Sequence, residues 1–539
     1  MTSPTSAGEL PSAEISRARL LPEADPRTHD EVKTVPLSLL DNTVVSYAFT
    51  GAVWYFDKYV SDNGLDAFSP AALSGSLQKT VNSYAAWAGQ LHWMPYDLSR
   101  GLRHGRVAIT YGSPVDPGIE LIVAHSPSTL SSLLPSGEQR LADGVWDAEP
   151  FPSTQLLCPT QLALHNTKEC AGLPSVSVQL TTFACGGVGI AVRITHAIAD
   201  ATALFQFIKD WNATHRAMLA GQPPPRLSPI FDPRLIDNAA AGDLTSSKPD
   251  PELLQIYNSL PQRRYDWWAS GEGCPSPMLP QTQVPPGLQG IDLGPPGERA
   301  PWHEWDLSLP VGHHLLYFAS QEVECMWREA SSQQPPGARI SRLDALLAVV
   351  WRLLVRARGL EHDHSVVNLI TTIGLRPRIS PPLPTSFIGS CLTNASTSLT
   401  AEEVTSSSTS ALSRAAAAIR ATRASYTPAA IGALLHNHAY EVNPQRTWRA
   451  FLGSRHVIVT SWLGNDPYGI DFGGGAPPRF VDPLLPHVDG CVLVIEGAPS
   501  ASGNGEEWRW YNRAVCVSLH IAKEVLEKLS KDPELRKYA

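Results

Sequence analysis

Two alternating apolar runs around a pair of glycines constrain this chain more than any other feature. Val176, Val178 and Leu180 alternate with Ser177, Gln179 and Thr181. After Cys185-Gly186-Gly187, the apolar positions Val188, Ile190, Val192 and Ile194 alternate again. A period of two marks strands, and paired glycines supply a turn, so residues 175–194 read as a hairpin. Its second strand runs directly into His196-Ala197-Ile198-Ala199-Asp200. Leu204, Phe205, Ile208 and Trp211 then recur at helical spacing, with Asp200 placed as the N-cap. A basic imidazole therefore sits in a short loop between two rigid elements, where function commonly concentrates.

That placement suits acid–base chemistry. An unperturbed imidazole titrates at about 6.5, close to the pH at which a base must work. Such a base takes the proton of an attacking alcohol and returns it to a leaving thiolate. No Gly-x-Ser-x-Gly elbow is present, so a serine nucleophile is not indicated. A plainer reading stands beside this one. The HxxxD spacing arises by chance, His196 serves as a hydrogen-bonded structural residue, and Asp200 is only a cap. On one helix the i, i+4 pair would share a face. The strand reading instead turns Asp200 away to pin the loop. Cys185 lies near enough in sequence to be weighed as a nucleophile, but it reads as a small residue in the turn.

Elsewhere both halves mix strands and helices, giving an α/β chain. Order is expected from Pro36 onward, with a strand at Ala52–Phe56 and a helix carrying Leu73, Leu77, Val81 and Ala85. In the second half, Trp302 to Leu309 reads as a strand. Ser341 opens a helix with a capping-box spacing to Asp344 and a stripe of Leu343, Leu346, Leu347, Val350, Trp351 and Leu354, ended by Gly359. Strands follow at 366–370, 457–461, 491–496 and 508–519, with helices at 411–424 and 521–529. Residues 221–301 hold 16 of the 47 prolines and read as a long crossover. The expected organisation is a disordered leader over 1–30, an N-terminal domain over 31–220, the crossover over 221–301 and a C-terminal domain over 302–539.

Composition narrows the classes further. Roughly 100–200 residues per domain makes 539 residues a multidomain length. A net charge of −9 argues against nucleic acid as partner. No apolar run reaches the roughly 20 residues of a membrane span, and the N-terminus lacks a signal-peptide pattern, so a cytoplasmic, non-membrane protein is expected. The eight cysteines are scattered without CxxC spacing, which indicates neither a metal site nor a disulfide framework.

Four blocks in order resemble the BAHD acyltransferase family, in particular its fungal natural-product branch. The first is Leu37-Ser38-Leu39-Leu40-Asp41 with Leu73 to Leu91. The second is Phe183 to Val188 leading to His196-Ala-Ile-Ala-Asp200. The third is Ile340-Ser341-Arg342-Leu343-Asp344 with Gly374-Leu375-Arg376-Pro377-Arg378 through Pro384. The fourth is Thr460-Ser461-Trp462 followed by Asp471-Phe472-Gly473-Gly474-Gly475, similar to the family's DFGWG block. The match runs from about residue 36 to the end.

The resemblance implies two similar chloramphenicol-acetyltransferase-like domains, each a mixed sheet with flanking helices, and an active-site tunnel between them. It implies His196 as the catalytic base. Asp200, paired with Arg376, would support the loop, and Asp471 and Gly473 would be structural. Thr460, Ser461 and Trp462 would line the tunnel or touch the acyl-CoA. It implies an acyl-CoA co-substrate, acetyl-CoA first, with no permanently bound cofactor, a small-molecule alcohol or amine acceptor, and a monomer. Two positions depart from the pattern: Ala201 follows Asp200 where glycine is frequent, and Gly474 replaces the tryptophan of DFGWG. N-acyl transfer, a condensation-type enzyme and a non-catalytic binding protein of the same fold are the alternatives. Condensation domains usually carry a second histidine before the motif, where this chain has Thr195.

Overall fold

The hairpin lies inside the first of two large sheets. Val176–Phe183 and Val188–Ile194 pair antiparallel, with Val176 opposite Ile194. The computed structural model describes residues 12–23, 31–45, 47–59, 66–97, 103–408, 410–499 and 509–539. Across the first sheet the order is Ala13–Leu20, Ile119–Ser126, Val176–Phe183, Val188–Ile194, Thr50–Phe56 and Phe480–Pro483. Ile119–Ser126 and Val176–Phe183 run parallel and the other neighbours antiparallel. The polar face of the hairpin is not a solvent face, because Ser177, Gln179 and Thr181 are all buried. Arg193 explains part of this cover: its guanidinium donates to the carbonyls of Cys158 and Thr160.

Two helices pack against this sheet and each other. Pro70–Val81 starts with proline at its first turn and Ser69 as cap. Ala201–Leu219 buries Leu204, Phe205, Ile208 and Trp211, the residues whose spacing predicts it. The second sheet runs Leu392–Thr400, Val366–Gly374, His456–Ser461, Cys491–Glu496, Val515–Ala522, Val311–Phe318 and Val145–Asp147. It is also mixed, with parallel pairing on both sides of His456–Ser461. Arg342–Ala357 fills its core, opened by a complete capping box between Ser341 and Asp344. The chain is thus a two-domain α/β protein. The two sheets exchange edge strands: Val145–Asp147 joins the second, and Phe480–Pro483 joins the first. Sequence boundaries at 220 and 302 do not capture that exchange.

Three expectations need correction. Residues 13–20 of the expected disordered leader form an edge strand on Ile119–Ser126. It is exposed and held by backbone pairing plus Arg17 and Arg19 on the buried Glu120, so no apolar pattern announces it. Residues 1–11 and 24–30 of that leader lie outside the described residues. Trp302 to Leu309 is not a strand. Trp302 and Trp305 are buried against Phe451, Leu307 and Leu309 are exposed, and the strand is Val311–Phe318. The strand expected from 508 begins at Val515, after a 3-10 turn at Trp510–Asn512. Among the described residues no helix is long and apolar enough to cross a membrane, and all eight cysteines are free.

Candidate active site

His196 follows the end of the hairpin, in a loop fixed from both sides. Thr195 donates its backbone N–H to Ser175 (2.8 Å) and its hydroxyl to the Ala163 carbonyl (2.7 Å). On the other side Asp200 caps the helix, with Oδ1 accepting from the Ala203 N–H at 3.1 Å. Cys185, in the turn at the opposite end of the hairpin, is separated from His196 by the length of a seven-residue strand, roughly 20 Å at 3.3 Å per residue.

Asp200 is held in a buried clamp. Arg376, just beyond the end of Val366–Gly374, donates from Nη1 to Oδ2 at 2.5 Å and from Nη2 to Oδ1 at 2.9 Å. The Cys391 N–H donates to Oδ2 at 3.1 Å. The guanidinium also donates to the carbonyls of Gly389 (2.8 Å) and Phe387 (3.3 Å). Both side chains are at most a tenth exposed. Burial is the largest single effect on Arg376 and works to lower its pKa, but the charge and hydrogen bonds of Asp200, with Cys391 and Asp41 adding to them, together hold the guanidinium above its ordinary range. The clamp therefore fixes residues 387–391 of the second half against the HxxxD loop of the first.

That segment carries Ser390, which the sequence reading did not single out. Its Oγ lies 3.1 Å from His196 Nδ1, and its own N–H donates to Asp41 at 2.8 Å. Asp41 is in turn held by the N–H and hydroxyl of Ser38. Burial pushes the Asp41 carboxyl up to about 7, against these hydrogen bonds. In the sequence Asp41 is visible only as the end of the Leu37–Asp41 block, and nothing local marks Ser390. Nδ1 is thus the ring nitrogen engaged by Ser390. Burial lowers the His196 pKa, opposed by a backbone interaction and by the Asp200 charge.

A cavity of about 610 Å³ opens beside this histidine. Its wall brings together His196, Asp200 and Arg376 with Thr460, Ser461 and Trp462, the residues expected to line a tunnel. Thr460 and Ser461 end the strand His456–Ser461, and Trp462 meets Phe205 of the HxxxD helix edge-on at 5.5 Å. Asp471 and Gly473 are not on that wall. Asp471 pairs with Arg216 at 2.8 Å and accepts the Gly473 N–H at 3.0 Å, while Asn212 accepts the Phe472 N–H at 2.7 Å. Phe472 (φ 46°) and Gly473 (φ 77°) take left-handed backbone and turn the block onto the Ala201–Leu219 helix.

A family model described as the transferase family matches residues 15–262 and 313–535. The chain belongs to this family, the BAHD acyltransferases. It is 25% identical over 486 residues to the acyltransferase AFT15-1 of Alternaria alternata, covering 86% of each chain. It is 26% identical over 522 residues to the acyltransferase abl6 of Leptosphaeria maculans, covering 94% of this chain and 96% of that one. Among solved structures, TRI101 of F. graminearum, complexed with coenzyme A and deoxynivalenol, shares the fold with a TM-score of 0.63. It is 15% identical, over 94% of this chain and 99% of that one.

Within the family pattern, Gly474 stands where DFGWG has tryptophan, and the structure gives the reason. A Cβ at position 474 would lie 2.6 Å from the ring of Phe68 and 3.1 Å from the Asp471 carbonyl. Phe68 is buried against Phe56 and occupies the space a larger residue would need. Gly474→Trp should therefore lower the melting temperature, with overpacking costing about 1–3 kcal/mol or more. Adding Phe68→Ala should recover part of the loss. A Gly474→Trp variant that melts like the parent chain would show that Phe68 does not fill this space.

Proposed function

We propose that this acyltransferase moves an acyl group, acetyl first, from a coenzyme A thioester to a hydroxyl of a small-molecule natural product, in one ternary complex. One observation carries the reading. His196 stands on the wall of a roughly 610 Å³ cavity with Nδ1 engaged by Ser390, so Nε2 is the nitrogen proposed to act. Family membership and the coenzyme A bound by the fold neighbour TRI101 support the choice of donor.

The steps follow from that geometry. His196 Nε2 takes the acceptor hydroxyl proton as the oxygen attacks the thioester carbonyl carbon. The carbonyl π pair moves to oxygen, and a tetrahedral oxyanion forms. Thr460 and Ser461 are the hydroxyl donors proposed to stabilise it. When the intermediate collapses, the carbon–sulfur bond breaks and the thiolate takes the proton from the imidazolium. The products are the ester and free coenzyme A. Asp200 makes no proton transfer, because its lone pairs are committed to Arg376, Ala203 and Cys391. Asp471 and Gly473 act through the fold.

The test is coenzyme A release from acetyl-CoA with a panel of alcohols. His196→Ala should lower kcat/KM about 10²–10⁴-fold with an unchanged melting temperature, and retained turnover would reject the base. The pH profile gives a second check. The neutral imidazole is the active form, and burial lowers its pKa. Activity should therefore persist as pH falls to 6.5 and be lost only through a lower apparent pKa. An acid limb centred above 6.5 would contradict this.

A further inference from the structure

Residues 263–312 fall between the two stretches matched by the family model, and they are not an inert connection. Tyr265–Asp266 pairs with Thr447–Trp448, which draws the segment onto the cavity. Trp267, Trp268 and Trp305 line the wall together with Trp448. Trp267 stacks on Trp448 with ring centres 5.2 Å apart and planes 14° apart, and Trp302 packs on Trp267 at 5.4 Å. The Asp266 carboxylate locks this arrangement by accepting from the N–H groups of Trp268 and Gly297 and from Arg446. The aromatic wall is thus built largely by a segment outside the matched stretches, joined by Trp448, and held by a buried ion pair.

The charges on the cavity are one-sided. Among the described residues of its wall the only carboxylate is Asp200, and Arg376 already occupies it. Arg446, over the face of Trp268 at 5.1 Å, is neutralised by Asp266, which is not on the wall. Lys168 adds a further positive charge. An ammonium brought into this space would lose its hydration without gaining a counter-charge. The indole face best seen to hold a cation already has one. Neutral partners are plentiful, including Gln281, Gln283 and Asn394.

Resting on the acyl-transfer reading, we infer that this wall is an acceptor subsite for a neutral, flat, ring-bearing alcohol, and that it rejects acceptors carrying an ammonium group. Flat rings slide against Trp267 and Trp268, and the hydroxyl is left to face His196. The subsite thereby selects O- over N-acylation through charge at the binding step, before any chemistry.

The experiment uses naphthylmethanol and naphthylmethylamine, which share a ring and differ in charge at pH 7. Calorimetric titration into the full chain should show the alcohol bound at least about tenfold more tightly than the amine. Trp268→Ala should weaken the alcohol about tenfold, as loss of an aromatic contact does, and Trp268→Phe should largely restore it. Equal or tighter binding of the amine, no binding of the alcohol, or an unchanged affinity in a folded Trp268→Ala variant would overturn the inference. Coenzyme A release is read separately. A chain that binds the alcohol through Trp268 but turns nothing over keeps this subsite and loses the acyl-transfer reading. A chain that acylates diamines through His196 does the reverse.

Discussion

A buried ion pair between Asp200 and Arg376 is the contact on which the arrangement of the site depends. The carboxylate comes from the loop after the first-sheet hairpin, and the guanidinium comes from just past a strand of the second sheet. Pairs of this kind add little net stability relative to well-packed apolar residues, because both charges must be desolvated. Losing one partner is costly, since the other charge is then stranded. The pair is therefore better understood as fixing one geometry. It draws the carbonyls of Phe387 and Gly389 and the N–H of Cys391 into one network, which sets Ser390 beside His196.

The imidazole benefits in two ways. Its Nδ1 is engaged by Ser390, and the residue stands on the cavity wall. Asp200 raises the pKa of the ring, but burial is the larger effect and favours the neutral imidazole. The halves are also joined by exchange of edge strands and by the Asp471 block docked on the helix that follows Asp200. One helix, Ala201–Leu219, thus takes the loop's cap at its start and the second half's anchor at Asn212 and Arg216.

Local periodicity made a large part of this legible. The hairpin, the Asp200 cap and the Ser341 capping box lie where spacing places them, because each is decided by neighbours in sequence. The edge strand Ala13–Leu20 was hidden because charge and backbone pairing hold it. Trp305, Leu307 and Leu309 alternate like a strand, yet the tryptophan is drawn into an aromatic cluster supplied by Tyr265 and Phe451 from distant segments. Ser390, Asp41 and Phe68 were illegible for the same reason. Their roles are contacts across hundreds of residues, and a single sequence records no such pairing. Gly474 departs from the family pattern, and only the distant Phe68, which fills the place of a larger side chain, accounts for it.

The most direct test of this account is a double-mutant cycle on the clamp, with Asp200→Asn, Arg376→Leu and the double variant compared in melting and in coenzyme A release. If the pair fixes the loop that presents His196, each single variant strands a buried group. The double should then lose clearly less than the sum of the singles in both measurements, with a coupling of about 0.5–3 kcal/mol. Losses that simply add, or single variants with full kcat/KM, would show that the site does not depend on this contact.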